Sequence, residues 1–99
     1  MVKMISDSIN AYLETIQLAR SPRTAATYRN ALRYYTDTLK FHKIDPQLTL
    51  TSDLSEDTII LMTTALKNHA ATTERLYLTA VTGFFQYLVA EKLADINLP

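Results

Sequence analysis

The stretch Ser21–Lys43, SPRTAATYRNALRYYTDTLKFHK, decides the fold because it carries the clearest helical pattern in the chain. Its apolar and aromatic residues recur three and four positions apart, which places them on one face of a 3.6-residue period. These residues are Ala25, Tyr28, Leu32, Tyr35 and Leu39. The pattern predicts a long amphipathic helix with Ser21 as its N-cap and an end near residues 41–43. We expect its apolar face to lie in the core.

A second stripe on this predicted helix is basic and consists of Arg29, Arg33 and Lys40, with Thr36 among them. Between Arg20 and Lys43 there are six basic residues and one acid, whereas Ile44–Leu66 has four acids and no base. The net charge of zero is therefore the sum of two opposed blocks. A phosphate backbone responds to the local field, so the neutral total does not exclude nucleic-acid binding.

Composition favours one small helical domain. The chain has 99 residues, is 47% hydrophobic and has one glycine and three prolines, which is few turn residues for a strand-rich domain. It has no cysteine, which excludes disulfides and cysteine-ligated metals. No apolar run approaches the roughly 18 residues that cross a bilayer, and no signal-peptide core is visible. We therefore expect a soluble cytoplasmic protein without a membrane partner.

Helix 1 is predicted from about Asp7 to Ala19, after a frayed segment at Met1–Met4. Ser6, Asp7 or Ser8 offers its N-cap. Residues at helical spacing predict its buried face: Ile5, Ile9, Tyr12, Leu13, Ile16 and Ala19. Pro22 separates helix 1 from helix 2, because proline disfavours helix in the residue before it and fits the first turn of a new one.

Helix 3 is predicted after a connecting loop that spans residues 44–52. Ser55 is its expected cap, and Glu56 and Asp57 fall in the first turn, where the helix dipole favours negative charge. The predicted inner edge consists of Ile59, Met62 and Leu66, with Ile60 alongside. We expect the helix to end around residues 68–70.

Helix 4 is predicted to open at Ala71, with Thr72 or Thr73 as its cap. Two neighbouring apolar stripes give it an unusually wide buried arc: Tyr77, Val81, Phe84 and Leu88, and beside them Leu78, Phe85 and Val89. Gly83 lies inside the helix at a cost of roughly 1 kcal/mol relative to alanine, which indicates that another backbone comes close, and packing of a helix is favoured over approach of a ligand. A tail follows from Glu91 to Pro99.

No catalytic, cofactor or metal site is predicted. His42 and His69 are isolated and lack the spacing of metal ligands. No glycine-rich phosphate loop appears, and the acids around Glu56 are explained by a helix start. We expect no cofactor and no small-molecule ligand, which leaves the basic stripe as the candidate site.

Two interpretations of the basic stripe compete: a solvated helix face and a DNA-binding surface. Arg29 and Arg33 are like charges four residues apart, which destabilises a helix slightly and brings no intrahelical benefit. Hydroxyl and amide residues accompany the cations, as in phosphate- and base-contacting surfaces: Ser21, Thr24, Thr27, Asn30 and Thr36. The pattern therefore favours DNA binding.

The same stretch resembles a known family. Its Ser-x-x-Thr-x-x-x-Tyr-x-x-x-Leu-x-x-aromatic-x-x-x-Leu pattern is similar to that of the N-terminal core-binding, SAM-like domain of tyrosine recombinases, the phage-integrase family. The matching positions are Ser21, Thr24, Tyr28, Leu32, Tyr35 and Leu39. A second similarity covers the closing helix and an Asn-Pro-type exit: Thr73, Leu78, Ala80, Val81, Phe84, Phe85, Tyr87, Leu88, Ile96, Asn97 and Pro99.

This resemblance implies an all-α orthogonal four-helix bundle, formed by residues 1–99 as a single domain. It also implies one jaw of a clamp around DNA, with helix 2 and the start of helix 4 against the duplex. The expected DNA-binding residues are Arg20, Ser21, Arg23, Thr24, Arg29, Asn30, Arg33, Lys40, Thr72, Thr73 and Arg75. The implied partners are double-stranded DNA and, through the full-length protein, other recombinase protomers.

The resemblance places the catalytic tyrosine, arginines and histidine in a C-terminal domain beyond Pro99, so none of the six tyrosines here is assigned to catalysis. The chain departs from the family in one run. Many members carry a basic residue shortly before the closing aromatic pair, whereas this chain has Ala80-Val81-Thr82-Gly83.

Two alternatives remain at this stage. One is a helical protein-interaction module of the death-domain or SAM type, which would use its charged faces without binding DNA. The other is a DNA-binding domain without a catalytic partner. A full-length gene with an Arg…His-x-x-Arg…Tyr series after Pro99 would exclude the second.

Overall fold

The computed structural model describes residues 3–94, which form four α-helices: α1 (Ile5–Ala19), α2 (Pro22–Phe41), α3 (Asp57–Ala65) and α4 (Ala71–Ala90). Short 3₁₀ turns occur at Thr51–Asp53 and Leu66–Asn68. Residues 3–94 contain no β-sheet, so the predicted all-α, four-helix class is confirmed. The expected exit through Ile96, Asn97 and Pro99 lies outside the described residues.

Helix α2 begins and ends as predicted. Ser21 is the N-cap, and its Oγ accepts a hydrogen bond from the Thr24 N–H at 3.2 Å. At the other end Lys43 adopts a positive φ of 64°, and the Ile44 N–H donates to the Leu39 carbonyl at 2.9 Å. These bonds form a Schellman-type end, which satisfies carbonyls that a helix otherwise leaves without partners.

Helix α1 starts at Ile5, earlier than predicted, because its first residues are tied to the segment after α2. The Thr51 N–H donates to the Lys3 carbonyl at 2.8 Å, and the Ser8 and Thr51 hydroxyls lie 2.8 Å apart. The frayed state expected for residues 3 and 4 is therefore wrong. The predicted cap is also wrong, since Met4 holds the N-cap position without a side-chain bond and Ser8 is buried.

Helix α3 is shorter than predicted. The Ser55 Oγ accepts a hydrogen bond from the Asp57 N–H at 3.0 Å, so the serine does bind the first turn, although Glu56 holds the N-cap position. The helix ends at Ala65 rather than at residues 68–70, because the chain tightens there into the 3₁₀ turn at Leu66–Asn68.

Helix α4 has no side-chain cap. Ala70 occupies the N-cap position, and Thr72 and Thr73 lie within the first helical turn, so the predicted threonine cap is wrong. Its C-terminus matches that of α2, with Lys92 at a φ of 58° and the Leu93 N–H bonded to the Leu88 carbonyl at 2.8 Å.

The core is centred on the rings of Tyr35, Phe84 and Phe85, which are fully buried. The Tyr35 ring lies 6.3 Å from that of Phe84 and 6.1 Å from that of Phe85. Most predicted core positions are buried, and three are exposed: Ala19, Ile60 and Val89. Five others are half-buried against the core: Leu13, Tyr28, Ile59, Tyr77 and Leu78. Ala19 ends its helix, and Ile60 and Val89 point away from the helices that cover the rest of the stripe.

Gly83 allows α1 to approach α4. A Cβ at this position would lie 2.6 Å from the Tyr12 hydroxyl oxygen, and that hydroxyl donates to the Ala80 carbonyl at 3.0 Å. Another helix does pack at Gly83, as predicted, but the expected approach of its backbone is wrong, because the group that approaches is the Tyr12 side-chain hydroxyl.

We predict that Gly83→Ala destabilises the fold by roughly 1–3 kcal/mol, despite the better helix propensity of alanine. The new methyl group would displace the Tyr12 hydroxyl from Ala80. Tyr12→Phe removes that hydroxyl, so Gly83→Ala should cost clearly less in the Tyr12→Phe background. Urea denaturation of the two single variants and the double variant measures this coupling. Additive losses would show that the contact with Tyr12 is not the reason for the glycine.

Within residues 3–94, no helix is long and apolar enough to span a membrane.

Candidate nucleic-acid interface

The basic stripe of α2 forms a row on an exposed surface. Arg29, Arg33 and Lys40 are all exposed, and at 100° per residue they lie within about 40° of one another around the helix. Thr36, half-buried, lies on the same line. The helix therefore presents three cations along one edge, beside its buried face.

The other predicted residues of α2 divide between a neighbouring face and the helix cap. Arg23 and Asn30 are exposed and lie about 100–120° around the helix from Arg29, so they do not join the row. Ser21 and Thr24 form the cap, with the serine hydroxyl donating to Thr24 Oγ1 at 3.1 Å. This bond gives both hydroxyls a structural role.

Arg20 sits at the junction between α1 and α2. It holds the C-cap position of α1, where its N–H donates to the Ile16 carbonyl at 2.9 Å, and its side chain is exposed. Its position beside the start of α2 places it near Arg23 in the chain and away from the Lys40 end of the row.

On α4 the predicted residues lie at the start of the helix. Thr72 and Arg75 are exposed, whereas Thr73 is half-buried. Arg75 lines a shallow groove of about 600 Å³ along the outward face of α4, where Glu74 contributes one acid. The groove is open to solvent on the side opposite the core.

Two further residues of this groove were missed by the sequence reasoning. Thr82 and Gln86 are exposed and line it together with Arg75 and Thr79. The four residues follow the spacing i, i+4, i+7, i+11, which places them on one line of the helix. This polar spacing is visible in the sequence of α4, next to the apolar stripes, and could have identified the two residues. We call these four residues the α4 polar line.

An aromatic contact joins α2 to α4. The Tyr34 ring lies 5.9 Å from that of Tyr77, and the Tyr34 hydroxyl donates to the Ala65 carbonyl at 3.1 Å. Helices α2 and α4 share the largest interhelical interface among the described residues. The relative position of the α2 row and the α4 polar line is thus fixed by the core.

The tyrosines of the core are held in their neutral form. Burial raises the pKa of Tyr35 above its usual range, and its hydroxyl is 2.6 Å from Thr58 Oγ1. Burial, followed by the neighbouring Tyr28, raises the pKa of Tyr12 likewise. Both hydroxyls serve the packing of helices, and neither is presented as an ionised nucleophile.

The two histidines have different surroundings. His69 packs edge-on against the Tyr34 ring at 5.4 Å, and His42 lies beside the Phe41 ring at 5.3 Å. No group of three or more histidine, cysteine or acidic side chains that could hold a metal ion occurs within residues 3–94.

The fold is that of a SAM-like helical domain, with an exposed basic row on α2 and the polar line on α4. Residues 9–92 match the family described as phage integrase, N-terminal SAM-like domain, and the chain belongs to this family. No curated protein and no solved structure matches the chain. Membership places the domain in the tyrosine recombinase family and indicates a role in integrase-type recombination.

Proposed function

We propose that this domain binds double-stranded DNA non-covalently, as one jaw of the clamp of a tyrosine recombinase. The observation that carries the proposal is the exposed row of Arg29, Arg33 and Lys40 on a domain of the integrase family. Three cations on one helix edge match the repeated negative charge of a phosphate backbone. Strand cutting and rejoining belong to another domain of the full-length protein.

The α2 row and the α4 polar line have different roles in this proposal. The row contacts phosphates, which sets position and affinity without reading sequence. The polar line is suited to base edges, because arginine pairs with guanine, glutamine with adenine, and threonine offers both a hydroxyl and a methyl group. Arg75 and Gln86 are therefore the proposed base-reading residues.

The residues of the run Ala80-Val81-Thr82-Gly83 differ in their exposure to solvent. Ala80 and Val81 are buried, and Thr82 is the member of the run that faces outward with the polar line. Many family members carry a basic residue near this position, whereas this chain has the uncharged Thr82. The proposed binding therefore depends more on the α2 row than on α4.

We predict that the isolated chain binds duplex DNA weakly, with a Kd of roughly 10⁻⁴–10⁻⁶ M at physiological salt, the range of non-specific binding. The net charge of zero and the acid Glu74 in the α4 groove both limit its affinity. Fluorescence anisotropy with a labelled duplex at several salt concentrations measures this. A nanomolar, sequence-specific complex of the isolated chain would contradict the prediction.

The alternative of a protein-interaction module predicts a different outcome in the same experiment. A bundle that binds only proteins would show no salt-dependent affinity for duplex DNA. Absence of binding at about 50 mM salt, where phosphate contacts are strongest, would favour that alternative.

A further inference from the structure

An apolar groove of about 470 Å³ lies between α2 and α3. Its α2 wall is turned about 110° around the helix from the cationic row, so the groove and the row are separate surfaces. The residues that line it follow the spacing i, i+3, i+4 on each helix, with one histidine after α2: Tyr34, Asp37, Thr38, Phe41, His42, Leu61, Thr64 and Ala65. Two helix faces therefore form its walls.

The hydroxyl groups in the walls are already bonded within the protein. The Tyr34 hydroxyl donates to the Ala65 carbonyl at 3.1 Å, and the Thr38 hydroxyl donates to the Tyr34 carbonyl at 3.0 Å. The Phe41 side chain, by contrast, is 74% exposed. The groove thus offers solvent mainly apolar surface, which marks a place where another protein binds.

The groove has the shape that a third helix would need. The α2 wall extends from residue 34 to residue 41, which is about 10 Å or two helical turns. On α3, Ile60 is 63% exposed and lies about 40° around the helix from Thr64, so it continues the apolar wall. An elongated groove of this length matches the i to i+7 face of an amphipathic helix.

Charges around the groove select the kind of helix. Among the described residues that line it, Asp37 is the acid and none is lysine or arginine. Asp57 is exposed in the first turn of α3, one turn before the lining residues of that helix. The cations nearest in sequence, Lys40, Lys43 and Lys67, do not line the groove. Two carboxylates beside apolar walls are complementary to basic residues that flank an apolar helix face.

The described helices of a second copy do not supply such a face. Apart from Phe41 and Ile60, the exposed large apolar side chains of residues 3–94 are Leu18, Leu48, Leu76 and Val89. Leu48 is in a loop, and Leu76 and Val89 lie near opposite ends of α4. No helix within residues 3–94 therefore presents two of these anchors one turn apart.

We propose that the α2–α3 groove binds an amphipathic helix of a different protein, with apolar anchors between the walls and basic residues beside Asp37 and Asp57. Binding of this kind uses anchors at i, i+3 or i+4, and i+7 of the bound helix. It involves none of the cations of the α2 row, so the partner and DNA occupy separate surfaces. The groove gives the domain a protein partner in addition to DNA.

Two designed peptide helices test the proposal. Both carry leucines at i, i+3, i+4 and i+7, and they differ in having either lysines or glutamates beside the leucines. Titration of the isotope-labelled chain with the lysine peptide should shift amide signals at residues 34–42 and 57–65. At low salt the lysine peptide should bind roughly threefold to tenfold tighter than the glutamate peptide, because exposed charge pairs contribute modestly and are screened by salt.

One pair of variants tests the apolar part of the groove. Phe41→Ala should weaken binding of both peptides by at least about tenfold, because an aromatic anchor is lost. Leu48→Ala is the matched control, since Leu48 is exposed like Phe41 but does not line the groove, and it should leave binding unchanged. Both positions are exposed, so circular dichroism should show the wild-type helical content.

A second pair of variants tests the charges. Asp37→Asn combined with Asp57→Asn should bring the affinities of the two peptides to within about twofold of each other. Asp7→Asn combined with Glu14→Gln removes the same charge from exposed positions on α1, which does not line the groove. This control should keep the preference for the lysine peptide.

Three results would overturn the proposal. Absence of peptide-induced shifts, or shifts confined to other residues, would show that the groove does not bind a helix. An unchanged preference for the lysine peptide in the Asp37→Asn, Asp57→Asn variant would show that these acids do not select the partner. Shifts at residues 34–42 that grow with the concentration of the chain alone would place a second copy in the groove.

Discussion

Replacing Arg29, Arg33 and Lys40 together with glutamine is expected to flatten the salt dependence of DNA binding by nearly three units. Each phosphate contact contributes about 0.9 to the slope of log affinity against log salt, because a neutralised phosphate releases counterions. The three side chains are exposed in one row on α2, so all three can meet a phosphate backbone. Binding titrations between about 50 and 200 mM salt give the slope.

The fold should survive this triple substitution. Glutamine has nearly the helix propensity of arginine and lysine, and none of the three side chains is buried. A matched control replaces three cations outside the row, Lys3, Lys67 and Lys92, and should leave the slope nearly unchanged. If the triple variant keeps both its helical content and the wild-type slope, the row is a solvated face. Any DNA contact would then involve Arg20, Arg23 and Arg75.

Phe84→Ala is expected to cost about 3–5 kcal/mol of unfolding free energy. The Phe84 side chain is fully buried, and its ring lies 5.5 Å from that of Tyr12 and 5.9 Å from that of Phe85. Its removal leaves a cavity where α1, α2 and α4 meet, and a close-packed interior refills such a space only in part. Chemical denaturation followed by circular dichroism measures the loss.

Phe41→Ala is the matched control for this experiment. It removes the same ring from a side chain that is 74% exposed, so its cost should stay within about 0.5 kcal/mol. A loss below about 1 kcal/mol for Phe84→Ala would mean that the ring is not part of a packed core. Equal losses for the two variants would show that burial does not set the cost.

The local sequence determined helix α2 and the all-α class of this domain. In α2 the apolar spacing, the Ser21 cap and Pro22 all act within a few residues, and the helix begins and ends where they predict. The all-α class follows for the same reason, because four amphipathic patterns without turn-rich segments favour helices. The cationic row was readable too, since Arg29, Arg33 and Lys40 share an edge of α2 that lies outside its apolar stripe.

Tertiary contacts decided where α1 begins and which apolar residues of α3 are buried. The hydrogen bond between Ser8 and Thr51 joins residues 43 positions apart, and no local pattern reports it. Ile60 has the composition of a core residue, but no other helix among the described residues covers it. Side chains from distant elements determine which apolar residues become buried.

The surface of α4 shows the same division. The spacing of Arg75, Thr79, Thr82 and Gln86 is present in the sequence, but their common exposure depends on which side of α4 the other helices cover. Gly83 indicated close packing, whereas the identity of the approaching group, the Tyr12 hydroxyl, depends on how α1 crosses α4. Periodicity within the sequence sets which residues share a helix face, and long-range packing decides whether that face is buried or meets solvent.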